Sequence, residues 1–462
     1  MSLVANLFRA LAVRLGALMA ALGALARLAV IGGRAASSGT GTVGDRLKGA
    51  LSEPAAQRLA FTALRGLLPN LLIGTRFITS YENTGTAIVT RFGDVKEVLA
   101  RDGDFAVVYG PRMRMITGGR DFFLGIDDTP DYTRDVSVMR LAMRREDVES
   151  VVRPFAARRA AERVADTPGR IDVPAELSLR VPAELVGSYF GTPGPSRQDM
   201  IDWTTILFWY LFIDLNADPD VDARAVEAAG RLRAYLDATI ARRKAGSPEP
   251  RDDVLGRCLA LQASGTPGTD DLAIRNNLVG LLIGAVPTTS KAACQALDQL
   301  LDRPDALASA QRAARANDDA ALAAHVFEAL RFNPVNPLIY RRARREATIA
   351  RATLRALTVP AGTMVLAANL SAMFDPLKLA APEEFRTDRP WDDYILWGDG
   401  LHTCFGAQVN HALIPTILKP LLQKPCLRRA AGPAGRIDPG KTPFPVHFVV
   451  EFDAGPDMEA IP

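Results

Sequence analysis

The 462-residue chain is poor in several residue types that would point to particular chemistries. It has four cysteines, Cys258, Cys294, Cys404 and Cys426, far apart and with no C-x-x-C pair. That argues against a zinc site and a dense disulfide framework, and makes a reducing cytoplasm the simpler setting. Its four histidines are too scattered for a histidine-rich metal centre. Long runs of one charge are missing, and 55 basic residues against 52 acidic ones leave a net charge of +3, so nucleic acid is not an expected partner. No internal repeat or low-complexity block follows residue 50. Residues 1–44 contain no Asp or Glu, only Arg9, Arg14, Arg27 and Arg34 among Ala, Leu and Val. The longest uncharged part, 15–26, is shorter than the about 20 apolar residues that a bilayer span needs. The segment therefore reads as an amphipathic helix lying on the protein or on a membrane surface. A signal peptide, with small residues near 35–38 after an apolar core, is the alternative. Residues 39–44 match G-x-G-x-x-G, but with no buried strand before them and no acid about twenty positions on they read as a linker.

What is present is apolar material enough for a sizeable core: 48% of residues are hydrophobic and 23% charged, as in soluble globular proteins. One large domain is expected over 51–462, behind an N-terminal basic, apolar and linker segment at 1–50. The β-branched residues of 86–90 predict a strand, and the Gly93-Asp94 turn predicts a helix over 95–99. Residues 105–130 read as a Gly-, Arg- and Met-rich loop. Helical periodicity then dominates, over 132–144, 147–165, 178–191, 197–212, 220–242, 252–262 and 269–301. Short β-prone pieces return near 346–368 and 443–453. The fold class is mainly α with a small β region.

The stretch 397–422 concentrates the chemistry. Gly398 and Gly400 permit a tight turn before Cys404, and Gly406 lets the backbone pass close to a flat, bulky object. Val409, Leu413, Ile414, Ile417, Leu418 and Leu421 then repeat at helical spacing. A cysteine just before a helix N-terminus sits where the backbone dipole favours a thiolate. A thiolate can be the axial ligand of a haem iron, pushing electron density toward O–O cleavage. Taken alone, Cys404 is better explained as a small buried hydrophobe. Written out, however, residues 397–406 give W-G-x-G-x-H-x-C-x-G, which closely resembles the cysteine-ligand loop of the cytochrome P450 family of haem-thiolate enzymes. Trp397 stands where that family usually has Phe.

The resemblance implies the cytochrome P450 fold, haem b (iron protoporphyrin IX) as cofactor and Cys404 as the iron ligand. It places Trp397, Gly398 and Gly406 in the haem-binding loop and His402 at a haem propionate, with Arg341 as a second donor. The family's early D-P-P-x-H-x-x-x-R-like pattern reads here Asp128-Thr-Pro-Asp-Tyr132-Thr-Arg134-Asp-Val136. Tyr132 replaces its His and Val136 its Arg, and Arg134 and Arg140 remain nearby. Glu328 and Arg331 match the E-x-x-R helix, a buried structural charge network. At 382–386 Glu384 stands where Arg is common, leaving Arg386 or Arg389 to substitute. Residues 278–293 resemble the central oxygen-handling helix, with small Gly284 and Ala285, Thr288 as the alcohol and Thr289 beside it. Pro287 occupies the acid position, and it can neither carry nor relay a proton.

The function implied is monooxygenation of a hydrophobic small molecule with dioxygen. Electrons would come from a separate ferredoxin- or flavodoxin-type partner, since the chain has no flavin or iron–sulfur signature. A peroxide-using or lipid-hydroperoxide-rearranging enzyme without a reductase is the second reading, and a non-catalytic haem-binding protein the third. An anionic substrate would pair with Arg112 or Arg114. The expected location is the cytoplasm, with a peripheral membrane contact through residues 1–35 left open.

Overall fold

The computed structural model describes residues 3–37, 42–246 and 251–453. The chain divides into two compact units, each assembled from separate segments: 1–106 with 331–403, and 107–330 with 404–462.

The first unit opens with α1 (Leu3–Ser37), the helix expected from the apolar N-terminal stretch, though much longer than its uncharged part. Residues 39–41 of the glycine run lie outside the described residues, while Val43 and Gly44 already belong to a helix, Val43–Ser52. Next comes α2 (Pro54–Leu67), started by a proline at its first position, where the missing N–H costs nothing. Strands β1 (Asn70–Ile73), β2 (Thr86–Val89), β3 (Phe105–Ala106), β4 (Ile339–Ala343) and β5 (Met364–Ala367) form one sheet in the order β1-β2-β5-β4-β3. β2 and β5 run parallel in the register Thr86↔Met364 to Val89↔Ala367, and the other neighbours are antiparallel. The helix Phe92–Ala100 packs Val95, Val98 and Leu99 into a core with Val89, Val365, Leu370 and Phe374. Each such fully buried side chain stabilises by about 1.5–3 kcal/mol.

The second unit is almost wholly helical. Its expected loop at 105–130 contains an eight-residue helix, Gly110–Thr117, begun by Gly110-Pro111 and closed by Gly118 in the left-handed region (φ 80°). The long helix expected over 269–301 is interrupted at Val286, giving α3 (Asp271–Ala285) and α4 (Pro287–Leu301). Proline sits at the first position of α4, where it is favoured. Two further helices carry candidate residues: α5 (Asp319–Phe332), within which the division between units falls, and α6 (Ala407–Leu422). A small antiparallel sheet joins Arg170–Asp172, Val449–Glu451 and Arg428–Arg429. The expected β pieces at both ends of the 346–453 region are thus present.

Candidate active site

Cys404 leads directly into α6. It is half-buried, and its carbonyl accepts the Ala407 N–H at 3.1 Å. Burial pushes its thiol up, while the backbone N–H groups of Gly406 and Ala407 pull it back down. Those donors face the sulfur because the chain turns into the helix at Gly406. A Cβ on Gly406 would sit 3.9 Å from the Cys404 Sγ and 3.6 Å from the Asn410 Nδ2, so glycine keeps open a cradle beside the sulfur. The neighbouring Phe405 packs its ring 5.1 Å from that of Phe123. α6 is anchored by buried Leu413, Ile414, Ile417, Leu418 and Leu421. His411 stacks on Phe327 at 4.7 Å. Phe123, Phe405 and Asn410 carry no spacing signal, and only contact in three dimensions identifies them.

In the same unit, the α3–α4 junction holds the two threonines. The Thr288 hydroxyl donates to the Gly284 carbonyl, and that of Thr289 to the Ala285 carbonyl at 2.7 Å. The two hydroxyls thus bridge the interruption that Pro287, lacking an N–H, cannot bridge itself. Thr289 also lies 3.0 Å from the Asn410 side-chain amide, which ties α4 to α6. A Cβ on Gly284 would meet nothing within 4 Å, so there is space on that side of α3. One turn earlier Gly280 is required for a different reason, since a Cβ there would come within 2.5 Å of the Phe122 ring.

The first unit carries the glycine turn and the cationic residues. Gly398 and Gly400 both adopt positive φ, 78° and 73°, and a Cβ on Gly400 would lie 2.4 Å from the Leu99 carbonyl oxygen. Trp397 packs against Trp391, ring centres 5.2 Å apart. Arg341, on β4, is buried and donates to the Tyr340 carbonyl at 2.9 Å. Burial, helped by the Arg341 charge, lowers the His402 pKa to about 3 and keeps its ring neutral. A guanidinium held out of water beside an imidazole is a donor suited to a carboxylate.

Glu328 and Arg331 are both wholly buried on α5. Arg331 donates to the Met373 carbonyl at 2.9 Å and the Glu384 carbonyl at 3.2 Å, with the Phe332 and Phe374 rings 4.5 and 4.4 Å from its guanidinium carbon. Arg389 reaches the same Glu384 carbonyl at 3.1 Å, whereas Arg386 pairs with Asp388. Arg389 thus shares an acceptor with Arg331. Position 384 takes part through its backbone, which explains why a glutamate side chain is tolerated there.

Several expected residues have other engagements. Tyr132 is buried in the first turn of the helix Pro130–Ala142, its N–H bound by the Thr129 cap. Arg134 spends its guanidinium on Asp131 and Asp135 and packs on Gly268. Arg140 is exposed. The expectation that Arg112 or Arg114 anchors an anionic substrate does not hold. Arg112 is buried, paired with Asp214 at 2.8 Å and set over the Tyr210 ring, while Arg114 is paired with Asp121 at 2.7 Å.

Comparison with known proteins gives the family. The family model described as Cytochrome P450 matches residues 196–424. The vitamin D(3) 25-hydroxylase of Pseudonocardia autotrophica is 26% identical over 341 residues, covering 70% of this chain and 76% of that protein. The cyclomarin C epoxidase CymV of Salinispora arenicola is 30% identical over 259 residues, 55% of this chain and 62% of that protein. The crystal structure of CYP109E1 from Bacillus megaterium in complex with testosterone has the same fold. Its TM-score is 0.71 at 21% identity, covering 87% of this chain and 99% of that one. The chain belongs to the cytochrome P450 family.

P450 enzymes carry haem b with a thiolate-ligated iron and are monooxygenase oxidoreductases of hydrophobic molecules, using dioxygen and electrons from an external donor. The donor set of this P450 fits that cofactor. Among the described residues no three His, Cys, Asp or Glu side chains cluster as a metal site. Haem brings its iron already held in a macrocycle and takes a protein ligand from a single side chain. The Cys404 thiol, with two backbone donors tuning it and a glycine cradle beside it, offers such a ligand. In the first unit, Arg341 and the neutral His402 ring offer donors of the kind that a carboxylate takes.

Proposed function

We propose that this P450 hydroxylates or epoxidises a large hydrophobic small molecule, with Cys404 as the thiolate that would hold its haem iron. Support comes from the position of Cys404, half-buried at the mouth of α6 with the N–H groups of Gly406 and Ala407 turned toward its sulfur. Bound haem supplies the activation of dioxygen at iron. The chain's own residues position and protect that chemistry. His402 and Arg341 hold the propionates, and Tyr132 is a further donor, since Arg134 has its charge taken up by two aspartates. Trp397 shields the thiolate, and Gly398 and Gly406 let the loop approach the macrocycle. Glu328 and Arg331 are structural. Thr288 and Thr289 order water on the oxygen-binding side, their protons shared with the carbonyls of the helix break. The substrate class follows from the relatives, one named for a vitamin D and another for cyclomarin C. Electrons come from a ferredoxin- or flavodoxin-type protein in the cytoplasm, and residues 1–35 make a peripheral membrane contact.

The test is the carbon monoxide spectrum of the reduced protein. Wild type should give the strongly red-shifted Soret band of thiolate ligation. Cys404→Ser should abolish it, and serine at Cys258, Cys294 or Cys426 should leave it intact. A Cys404→Ser protein with the same band would overturn the assignment.

A second reading, peroxide-driven turnover without a reductase, is favoured by one observation: the acid position is Pro287, the first residue of α4. Product formed with hydrogen peroxide alone at rates above those of the ferredoxin-supported reaction would select it.

A further inference from the structure

α1 is inside out for a helix that meets only protein and water. Its small residues face the protein. Ala21 and Ala24 are buried, and a Cβ on Gly66 of α2 would come 2.4 Å from the Ala21 Cβ and 3.0 Å from the Ala17 carbonyl, so the two helices touch at backbone distance. Its large residues face away. Phe8, Leu11, Leu15, Leu18, Leu22 and Leu25 are all exposed, Phe8 by 67% and Leu15 by 54%. Their spacing of three and four places them along one continuous stripe of the helix. The exposed Arg14 stands on one margin of that stripe, the exposed Arg27 lies on the far side of the helix from it, and α1 contains no acidic residue.

The same spacing would suit a coiled-coil seam with a second copy, but the flanking positions argue against it. Such seams are set by opposite charges beside the apolar stripe. Here Ala12, Met19, Ala26 and Leu28 flank it with Arg14 and Ala21, so a second α1 brings no carboxylate to meet Arg14. An anionic lipid surface brings many. Length alone would allow a span, since Leu11–Ser37 is long and apolar enough to cross a bilayer. Docking opposes it. The stretch 17–24 that would occupy the bilayer centre is packed on α2, which carries Arg58 and Arg65 bonded to the Phe332 and Ser371 carbonyls of its own unit. Crossing would drag those charges into hydrocarbon or strip α1 from its seat.

We infer that α1 remains seated on α2 and lies in the plane of an anionic bilayer, its leucine stripe sunk to the acyl boundary, Arg14 at the headgroups and Arg27 on the water side. This rests on the peripheral contact proposed above, and fixes its face, depth and lipid charge. The purified haem-loaded protein should float with vesicles containing about one third phosphatidylglycerol at least tenfold better than with phosphatidylcholine alone. Leu15→Glu with Leu22→Glu should reduce that binding at least tenfold while leaving haem content and melting unchanged, because both side chains are solvent-facing. Alkaline carbonate should release the full-length protein from cell membranes. Binding that resists carbonate would make α1 a span, and binding indifferent to lipid charge would remove the role of Arg14 and of the helix's positive charge; either overturns this geometry but keeps the membrane contact. No binding to any vesicle overturns both. So does a lipid-free dimer that sediments as a monomer in the double glutamate variant, which would give the stripe to a second copy.

Discussion

A guanidinium shut away from water must find its partners within the chain, and Arg331 finds two of them in the Met373 and Glu384 carbonyls. Arg331→Ala should cost about 3–5 kcal/mol, because it removes a wholly buried charge, takes its donor from the Met373 carbonyl and leaves the Glu384 carbonyl to Arg389 alone. The urea midpoint and the haem content should fall together. Arg331→Lys should recover less than half of the loss, since an ammonium has no planar fork to span two acceptors. A wild-type midpoint in the alanine variant would make the charge dispensable. Lys291 presents the opposite case, a half-buried residue with its ammonium 5.7 Å from the Phe444 ring centre, whose pKa desolvation lowers to about 8 from 10.5. The folded protein therefore releases this proton near pH 8, whereas the unfolded chain holds it to about 10.5. Between those values the unfolded state binds more protons, so folding stability contributed here rises with pH. Lys291→Met should accordingly be more stable than wild type at pH 7, with the gap closing as pH approaches 10.5. A gap that does not change over that window would mean the ammonium is solvated.

At the scale of elements, apolar spacing is nearly blind to the interruption at Val286. Val286 keeps right-handed helical dihedrals (φ −90°, ψ −64°), so the periodicity of 269–301 continues through it while the hydrogen bonding does not. Pro287 itself was the visible signal, and whether it kinks one helix or starts another depends on what caps the break. Here the caps are the hydroxyls of Thr288 and Thr289. The helix Gly110–Thr117 was hidden for the reverse reason, because its Gly-Pro opening and its arginines read as loop until Arg112 finds Asp214. The cysteine turn was legible almost entirely, since positive φ at Gly398 and Gly400 demands glycine whatever surrounds it. The junction also carries a functional prediction. An acid delivering protons toward bound oxygen contributes about 10²–10⁴ in rate. Pro287→Asp places a carboxylate in the first turn of α4, where the helix dipole also favours it. Product formed per NADPH consumed should rise above both wild type and Pro287→Ala, the latter restoring an N–H without a proton donor. The gain should vanish when Thr288→Val is added. Equal coupling in the aspartate and alanine variants would mean that water ordered by Thr288 already suffices.

At the scale of the whole molecule, no reading of composition along the chain reveals that 331–403 groups with 1–106, or that 404–462 groups with 107–330. Partners so distant in sequence are specified by burial, as in the parallel pairing of β2 with β5, and burial shows only in the fold. Cysteine usage, by contrast, could be judged early, and it yields a test covering the entire chain. Among the described residues all four thiols are free, and they differ in environment. Burial pushes Cys258 and Cys294 up to about 12, so neither should react with a maleimide in the native protein. Cys426 is exposed, but the Asp453 carboxylate beside it holds its thiol above the ordinary value. Its labelling should be slow at pH 7 and accelerate toward pH 9 as thiolate forms, and Asp453→Asn should bring that acceleration to lower pH. Cys404, as the haem ligand, should be protected while haem is bound. Haem-loaded wild type should therefore take one label at pH 9, Cys426→Ser none, and Cys404→Ser still one. Denaturant should expose all four in the wild type, without any reductant. Removing haem should add Cys404 as a second native site. A label mapped to Cys404 in fully haem-loaded Cys426→Ser protein would show a thiol free of iron, and the axial assignment would have to be given up.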